Sequence, residues 1–328
     1  MLAVTNMFPT PEYPASGTFV QRQVESLRDM NINVDVLHVC REKYGILAYA
    51  KLRDKLLNRI ADFQPDLVHV MYGGVMADIV TSNARIPSVV SFCGSDLLGE
   101  SLANPFRRAA AGIGVFSSFR AARKAHRIVV KSRILQDSLP CDVEPMRVRI
   151  IPNGVDLNQF KPLDTALCRK QLGWNEGNFH VLFPANSGAP VKRPHLARTA
   201  TNSLKLRGVP ILLHLLSGVK PADVPLWMNA SDVLLLTSSH EGSPNVVKEA
   251  LACNLPVVSV DVGDVRERIG CVDGCYIVAP YQGEIADCLE KVYCSHARIK
   301  GREHVQALSL PAIAGKLKAL YDETRLLR

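Results

Sequence analysis

Apolar residues along this chain fall into short runs separated by stretches of helical spacing, and the alternation holds over most of its length. Runs at Leu2–Asn6, Val34–His38, Leu67–Met71, Ser88–Phe92, Arg127–Val130 and Val148–Ile151 predict strands. Between them Val20, Val24, Leu27 and Met30 recur at helical spacing, as do Phe106, Ala109, Ala110 and Ile113. Strands of this kind alternating with helices predict a parallel sheet covered on both faces.

The pattern is interrupted at Ile151-Pro152-Asn153-Gly154-Val155-Asp156 and again at Phe160-Lys161-Pro162, punctuation too rich in Pro and Asn-Gly for an element interior. It then restarts, with predicted strands Val181–Phe183, Ile211–Leu215, Val233–Leu236 and Val257–Val260. Pro194 ahead of Leu196, Ala197, Ala200 and Leu204 marks an opening helical turn. Ile313, Leu317, Leu320, Thr324 and Leu327 predict a closing amphipathic helix. A chain of 328 residues suits two such α/β domains, placed at 1–160 and 161–310, with the helix of 311–328 last. Ligands of doubly wound sheets bind beyond the C-terminal strand ends, so two facing domains imply a cleft.

No apolar stretch approaches the roughly 20 residues of a transmembrane helix. Met1 to Phe8 reads as a first strand, since it lacks the basic lead-in and small-residue cleavage site of a signal peptide. The nine cysteines form no CxxC pair and no zinc-type Cys/His spacing, which fits a reducing, cytoplasmic setting with thiols as small hydrophobes. The formal charge of +8 is concentrated: residues 105–149 carry ten Lys/Arg against three acids. Such a segment suits an anionic partner, whether a membrane surface, nucleic acid or a phosphorylated substrate, or is simply a solvated face. Nucleic acid is disfavoured because Phe106, Phe116 and Phe119 follow helical spacing and are not interleaved as stacking platforms.

The chemistry concentrates after the strand Val233–Leu236. There Thr237-Ser238-Ser239-His240-Glu241-Gly242-Ser243-Pro244-Asn245 leads into a predicted helix containing Glu249. Ser243 reads as the N-cap with Pro244 at the first helical position. The backbone N–H groups of Asn245 and Val246, with the helix dipole, then form an anion site suited to a diphosphate. Acids beside it, Glu241 and Glu249, make sense as acceptors for ribose or hexose hydroxyls, or else as an ordinary surface pair. Lys192-Arg193, after an earlier strand of the same half, can offset the diphosphate charge.

Glu241 and Glu249, seven residues between them, resemble glycosyltransferase family 4, a retaining family of GT-B fold. So does the run Ala250-Leu251-Ala252-Cys253-Asn254-Leu255-Pro256-Val257-Val258. Ile151 to Asp156 resembles its interdomain signature, and 66–99 its N-domain pattern. Phe92-Cys93-Gly94-Ser95-Asp96 is similar to bacterial cell-surface polysaccharide enzymes of the teichuronic-acid type. The resemblance implies two Rossmann-like domains facing a cleft, the last helix returning to the first domain. It implies transfer from a nucleotide-sugar, UDP by family frequency, to a saccharide or lipid-linked acceptor, with no cofactor and no metal. No Asp-x-Asp run is present. It casts Glu249 as holding the ribose, and Glu241, Gly242, Ser243 and Pro244 the transferred sugar. Asn245 and Val246 take the diphosphate and Lys192 a phosphate, with Glu241 and Lys192 the catalytic pair. Gly17 lies in the loop approached by sugar and acceptor, and Cys93, Gly94 and Asp96 on the sugar or acceptor side.

Two departures stand out: Asn186 and Ser187 occupy the place of the family's Arg, and Cys93 that of its His. Arg193 is a candidate substitute for the missing cation. His69 and His240 lie near predicted strand ends and are either structural or polar participants. A peripheral membrane contact through 105–149 follows from the lipid-linked acceptor. A nucleotide-sugar epimerase of the same fold and a silent nucleotide-sugar-binding protein are the alternatives. A Rossmann oxidoreductase is disfavoured, because no G-x-G-x-x-G follows either first strand.

Overall fold

A computed structural model describes residues 1–99, 105–184 and 190–327. The chain divides into two units, Met1–Gly154 with Leu310–Arg328, and Val155–Ser309. The division falls inside the Pro152-Asn153-Gly154 loop and not after Phe160. Phe160 is buried, and its carbonyl accepts from Arg302 Nη1 at 2.6 Å within unit 2. The two crossings run together: Val155 pairs with Ser309 as an isolated parallel bridge, and Val155 N donates to Leu308 O at 2.9 Å.

Unit 1 follows the order β1 (Leu2–Thr5), α1 (Thr18–Asp29), β2 (Asp35–His38), α2 (Arg41–Tyr44), α3 (Leu52–Phe63), β3 (Val68–Val70) and α4 (Val75–Asn83). It continues with β4 (Ser88–Phe92), α5 (Ser95–Leu98), α6 (Pro105–Lys124), β5 (Arg127–Val130), α7 (Arg133–Asp137) and β6 (Val148–Ile150). All its strand pairs are parallel, in the order β2-β1-β3-β4-β5-β6. Leu2, Val4, Val68, Val70, Val90, Phe92, Ile128 and Val130 bury their side chains with helical Leu52, Leu56, Met76 and Val80 in one core.

Unit 2 repeats the plan with α8 (Thr165–Leu172), β7 (Phe179–Phe183), α9 (Pro194–Leu206), β8 (Ile211–Leu215), α10 (Val224–Ala230), β9 (Val233–Leu236) and α11 (Asn245–Ala252). Then come β10 (Val257–Val260), α12 (Val265–Ile269), β11 (Tyr276–Val278), α13 (Gln282–Ser295) and α14 (Gly301–His304). Its parallel sheet runs β11-β10-β9-β7-β8. The edge strand β11 escaped the sequence reading because its three residues are too few to show a period.

The closing helix α15 (Leu310–Arg325) belongs to unit 1 and packs against α1, as expected from the resemblance. Ile313, Leu317, Leu320 and Thr324 are buried as predicted, but Leu327 lies beyond the helix and is 42% exposed. The face is completed instead by Tyr321, which is buried and pairs with Nδ1 of His69 on β3 at 2.6 Å. The other ring nitrogen of His69 pairs with Ser91 Oγ at 2.8 Å, so His69 is a structural link between sheet and terminal helix.

Helix α6 runs unbroken for 20 residues through Gly112 and Gly114. Its C-terminal carbonyls are capped from outside: Arg147 Nη2 donates to Ala122 O at 2.8 Å, to Arg123 O at 3.2 Å and to Ala125 O. The basic excess around it is partly neutralised by Arg120 and Lys124 on Asp78, Arg123 on Asp142 and Arg149 on Glu323. The predicted apolar stripe divides: Phe119 packs on the core, whereas Ile113 and Phe116 are each 61% exposed. No described helix is long and apolar enough to cross a membrane.

Burial, with a smaller contribution from Lys131, pushes His69 down to about 3. His214, pushed to about 4 by burial and by His180, behaves likewise. The unfolded chain therefore binds protons that the folded one refuses, and stability falls as pH drops from about 6.5 toward those values. Each histidine contributes a slope of up to about 1.4 kcal/mol per pH unit in that window. Urea unfolding followed from pH 7.5 to 5 should show the loss. His69→Gln should lessen the slope and leave the share of His214, and an equally steep loss in that variant would assign it elsewhere.

Candidate active site

In unit 2 the strand order reverses between β7 and β9, which pair directly although β8 lies between them in sequence. Loops leaving adjacent strands at such a switch point diverge and open a ligand crevice beyond the strand ends. Lys192 follows β7, and Glu241 to Glu249 follow β9. The site proposed from sequence thus sits at the one position in this sheet where a crevice is expected.

The two loops are joined by several hydrogen bonds. Ser239 N donates to Val191 O at 2.8 Å, and Thr237 Oγ1 donates to Lys192 O at 2.8 Å. Arg193, itself in a left-handed conformation at φ 49°, donates from Nε to Thr237 O at 2.7 Å and from Nη2 to Ser238 O at 2.8 Å. The guanidinium therefore holds the end of β9 in register with the Lys192 loop. It is directed at carbonyls, which argues against it as the substitute phosphate cation. Lys192 Nζ meets Glu241 Oε1 at 2.6 Å, with both side chains largely but not wholly buried.

The helix start differs from the sequence reading. Helix α11 begins at Asn245, and Pro244 (φ −66°, ψ 113°) occupies the cap position without a side-chain cap. Ser243 is not the cap because its hydroxyl is drawn inward. Ser243 Oγ donates to Asp264 Oδ2 at 2.9 Å and accepts from Lys248 Nζ at 3.1 Å. Arg268 Nε donates to the same Asp264 oxygen at 2.7 Å. Gly242, Ser243 and Pro244 are buried, while Asn245, Val246 and Glu249 are partly exposed. Asn245 and Val246 still head α11, where backbone N–H groups lie outside the helix's own ladder.

Several of these residues were not visible in sequence. Asp264 and Lys248 are each 1% exposed, and Asp264 Oδ1 is buried without a hydrogen-bond partner. Gly263, in the loop after β10 with φ +58°, lies so close that a Cβ would meet Gly242 O at 2.8 Å and Glu241 O at 3.1 Å. The one signal for them was a polar loop, Asp261 to Asp264, directly after a predicted strand.

Unit 1 holds the remaining predicted residues. Its switch point lies between β1 and β3, and Gly17 closes the loop after β1. At φ +64° it heads α1, and a Cβ there would meet Met7 C and O at 2.3 Å. The glycine is thus required by the loop folding back on itself. Asp96 is buried and accepts from backbone N–H groups of Gly73 (2.8 Å), Cys93 (3.0 Å) and Gly94 (2.7 Å), tying the ends of β3 and β4 together. Burial raises its pKa against those hydrogen bonds. Cys93 is partly exposed. The buried Lys131, directly after β5, senses both Cys93 and Asp96 and has its pKa lowered by burial. Among the residues singled out from sequence, Asn186 and Ser187 lie outside the described residues. His240 is partly exposed, with Nδ1 3.2 Å from Ser239 Oγ.

Two doubly wound parallel units, each with polar loops at its switch point, define the GT-B architecture. Solved structures agree over the whole chain. Sucrose-phosphate synthase from Thermosynechococcus elongatus superposes with a TM-score of 0.82 at 16% identity, covering 100% of this chain and 99% of that one. HepE from Anabaena, in complex with UDP and glucose, gives 0.70 at 18% identity, covering 98% and 99%. The model "Glycosyl transferases group 1" matches residues 188–295, and "Glycosyltransferase Family 4" matches 45–159. A Bacillus subtilis (strain 168) protein named for teichuronic acid biosynthesis, TuaC, is 24% identical, covering 82% of this chain and 83% of its own. The chain is a family-4-like glycosyltransferase.

Gly263→Ala should push the Glu241-Gly242 backbone away and destabilise the fold by about 1–3 kcal/mol, left-handed strain included. Its reading is a raised donor KM alongside a lowered Tm. A lowered Tm with donor KM unchanged would mean that the β10 loop does not shape the site.

Proposed function

We propose that this protein transfers a sugar, with retention of anomeric configuration and without a metal, from a UDP-sugar to a saccharide or lipid-linked acceptor of cell-surface polysaccharide. The observation that carries the reading is the Lys192–Glu241 pair at 2.6 Å, formed by loops leaving the two strands of the unit 2 switch point. An anionic diphosphate entering there competes with Glu241 for the lysine. Lys192 then shifts from carboxylate to phosphate, and Glu241 is released to accept hydroxyl hydrogen bonds from the sugar. Glu249, partly exposed one turn into α11, accepts from the ribose hydroxyls, and the helix start faces the phosphates. In transfer, the bond from the anomeric carbon to the diphosphate oxygen breaks as the acceptor oxygen bonds to that carbon, and the acceptor's hydroxyl proton passes to the leaving diphosphate oxygen. Lys192 and the helix dipole stabilise the charge that grows on the departing diphosphate. HepE, solved with UDP, supports the choice of nucleotide, and the likeness to TuaC supports a cell-surface polysaccharide.

Glu249→Ala should raise donor KM by roughly ten- to a hundredfold, the loss of one or two charge-assisted hydrogen bonds. Lys192→Ala should lower kcat by about a hundredfold or more. Full activity in both variants would remove the site assignment. Donor consumption that persists when the acceptor is omitted would favour an epimerase, and donor binding without turnover a silent binder.

Ile113 and Phe116, exposed on α6 among basic residues, favour a peripheral contact with anionic membrane. Ile113→Ser with Phe116→Ser should reduce binding to phosphatidylglycerol-containing vesicles by roughly tenfold, from the apolar area withdrawn. Co-sedimentation indifferent to that pair of substitutions, or to salt, would count against the contact.

A further inference from the structure

We propose that the end of β2 in unit 1 carries a three-ligand site for a single borderline-soft divalent cation, Zn2+ as the natural occupant, ligated by His38, Cys40 and Glu42 in a spacing outside the usual zinc patterns of sequence. A ring nitrogen of His38, the Sγ of Cys40 and a carboxylate oxygen of Glu42 all lie within 4.8 Å of one another. No other group of three such side chains converges among the described residues. Zinc bonds of about 2.0–2.3 Å place tetrahedral ligands roughly 3.3–3.8 Å apart. The present spacing therefore closes by side-chain rotation alone, since Glu42 is exposed and Cys40 partly so.

A second observation comes from His38 itself. Its Nε2 is buried and has no hydrogen-bond partner. A buried ring nitrogen without a partner is costly, and a metal bond, or a hydrogen bond ordered by metal binding at the other nitrogen, relieves that cost. The donor set names the class of ion. One imidazole, one thiolate and one carboxylate suit zinc with water in the fourth position, whereas calcium and magnesium require mostly oxygen.

The position argues for bracing. β2 is the edge strand of its sheet, away from the switch point between β1 and β3. Its last residue and the segment after it contact the β1–α1 loop at three places. The Phe8 and His38 rings lie 6.2 Å apart, Ser16 Oγ donates to Glu42, and Lys43 Nζ meets Glu12 Oε1 at 3.0 Å. An ion joining residues 38, 40 and 42 fixes the platform on which the loop ending at Gly17 rests. No step of sugar transfer runs through it, and the site does not depend on the donor-site reading.

Cobalt provides the test, because a Co2+–thiolate bond gives a charge-transfer band in the near ultraviolet. Reduced, chelator-treated full-length protein titrated with CoCl2 should develop that band at one equivalent and lose it when ZnCl2 is added. Cys40→Ser should abolish the band, whereas Cys141→Ser, at an exposed cysteine elsewhere, should keep it. Glu42→Gln should weaken Zn2+ binding by at least about tenfold, the lower end of what even outer-sphere changes cost. Zn2+ should raise the Tm of the parent protein and leave that of Cys40→Ser unchanged, the metal-free Tm of each showing that both fold. No band at stoichiometric Co2+, or a band that survives Cys40→Ser, would overturn the site.

Discussion

The parallel pairing of β7 with β9 is the constraint from which the candidate site follows. With β8 on one side of β7 and β9 on the other, the segments leaving β7 and β9 must separate onto opposite faces. Two loops then start side by side from strands about 4.8 Å apart and diverge. The contacts between the two loops use that proximity. Arg193, at the far end of the first loop, and Thr237, at the start of the second, exchange hydrogen bonds, and Lys192 reaches Glu241 farther along. The same order reversal in unit 1 lies between β1 and β3. Its loop ends are likewise held by backbone contacts, Gly17 against Met7 and Asp96 on the amides of Gly73, Cys93 and Gly94.

The fold was largely legible because most strands carry a short, mainly apolar run, and such runs alternating with helical spacing announce a parallel sheet without reference to partners. Ten of the strands sit at or near their expected residues, while β11 was lost to its brevity. The terminal helix was legible in position but not in its last turn. Leu327 has the right spacing and the wrong place, because the buried hydroxyl of Tyr321 and the ring of His69 decide which face turns inward. A polar pair that satisfies itself on burial is invisible to a pattern that counts only apolar residues.

The same limit explains the site. The placement of Lys192 and Glu241 in strand-end loops, and of Glu249 on the helix that follows, was legible because a polar run directly after an apolar one marks a strand end. Ser243 was misread as a cap. A Ser-Pro pair before an apolar run has the chemistry of a helix start, but nothing local reveals a buried Asp264 some twenty residues on. The buried charges are linked through one contact distant in sequence, Ser243 to Asp264, to which Lys248 and Arg268 add local bonds. Leaving such a group unpaired costs several kcal/mol, so the cluster over-determines the loop that it underlies.

That rigidity bears on how the Lys192–Glu241 pair can work. A partly buried ion pair gains attraction and loses hydration, and the two nearly cancel, so the pair is a weak contributor to stability. It is correspondingly cheap to exchange. In the proposed exchange, a diphosphate brings more charge to the lysine than a carboxylate does, while Glu241 regains hydrogen bonds from sugar hydroxyls. The exchange keeps every charge partnered throughout. It also requires that the backbone beneath stay still, since a loop free to follow Glu241 outward would lose the register set by Arg193 and Gly263. On the proposed donor reading, buried Asp264 and Lys248 hold the backbone while the Lys192–Glu241 pair exchanges partners, so that one lysine serves first the resting site and then the leaving group.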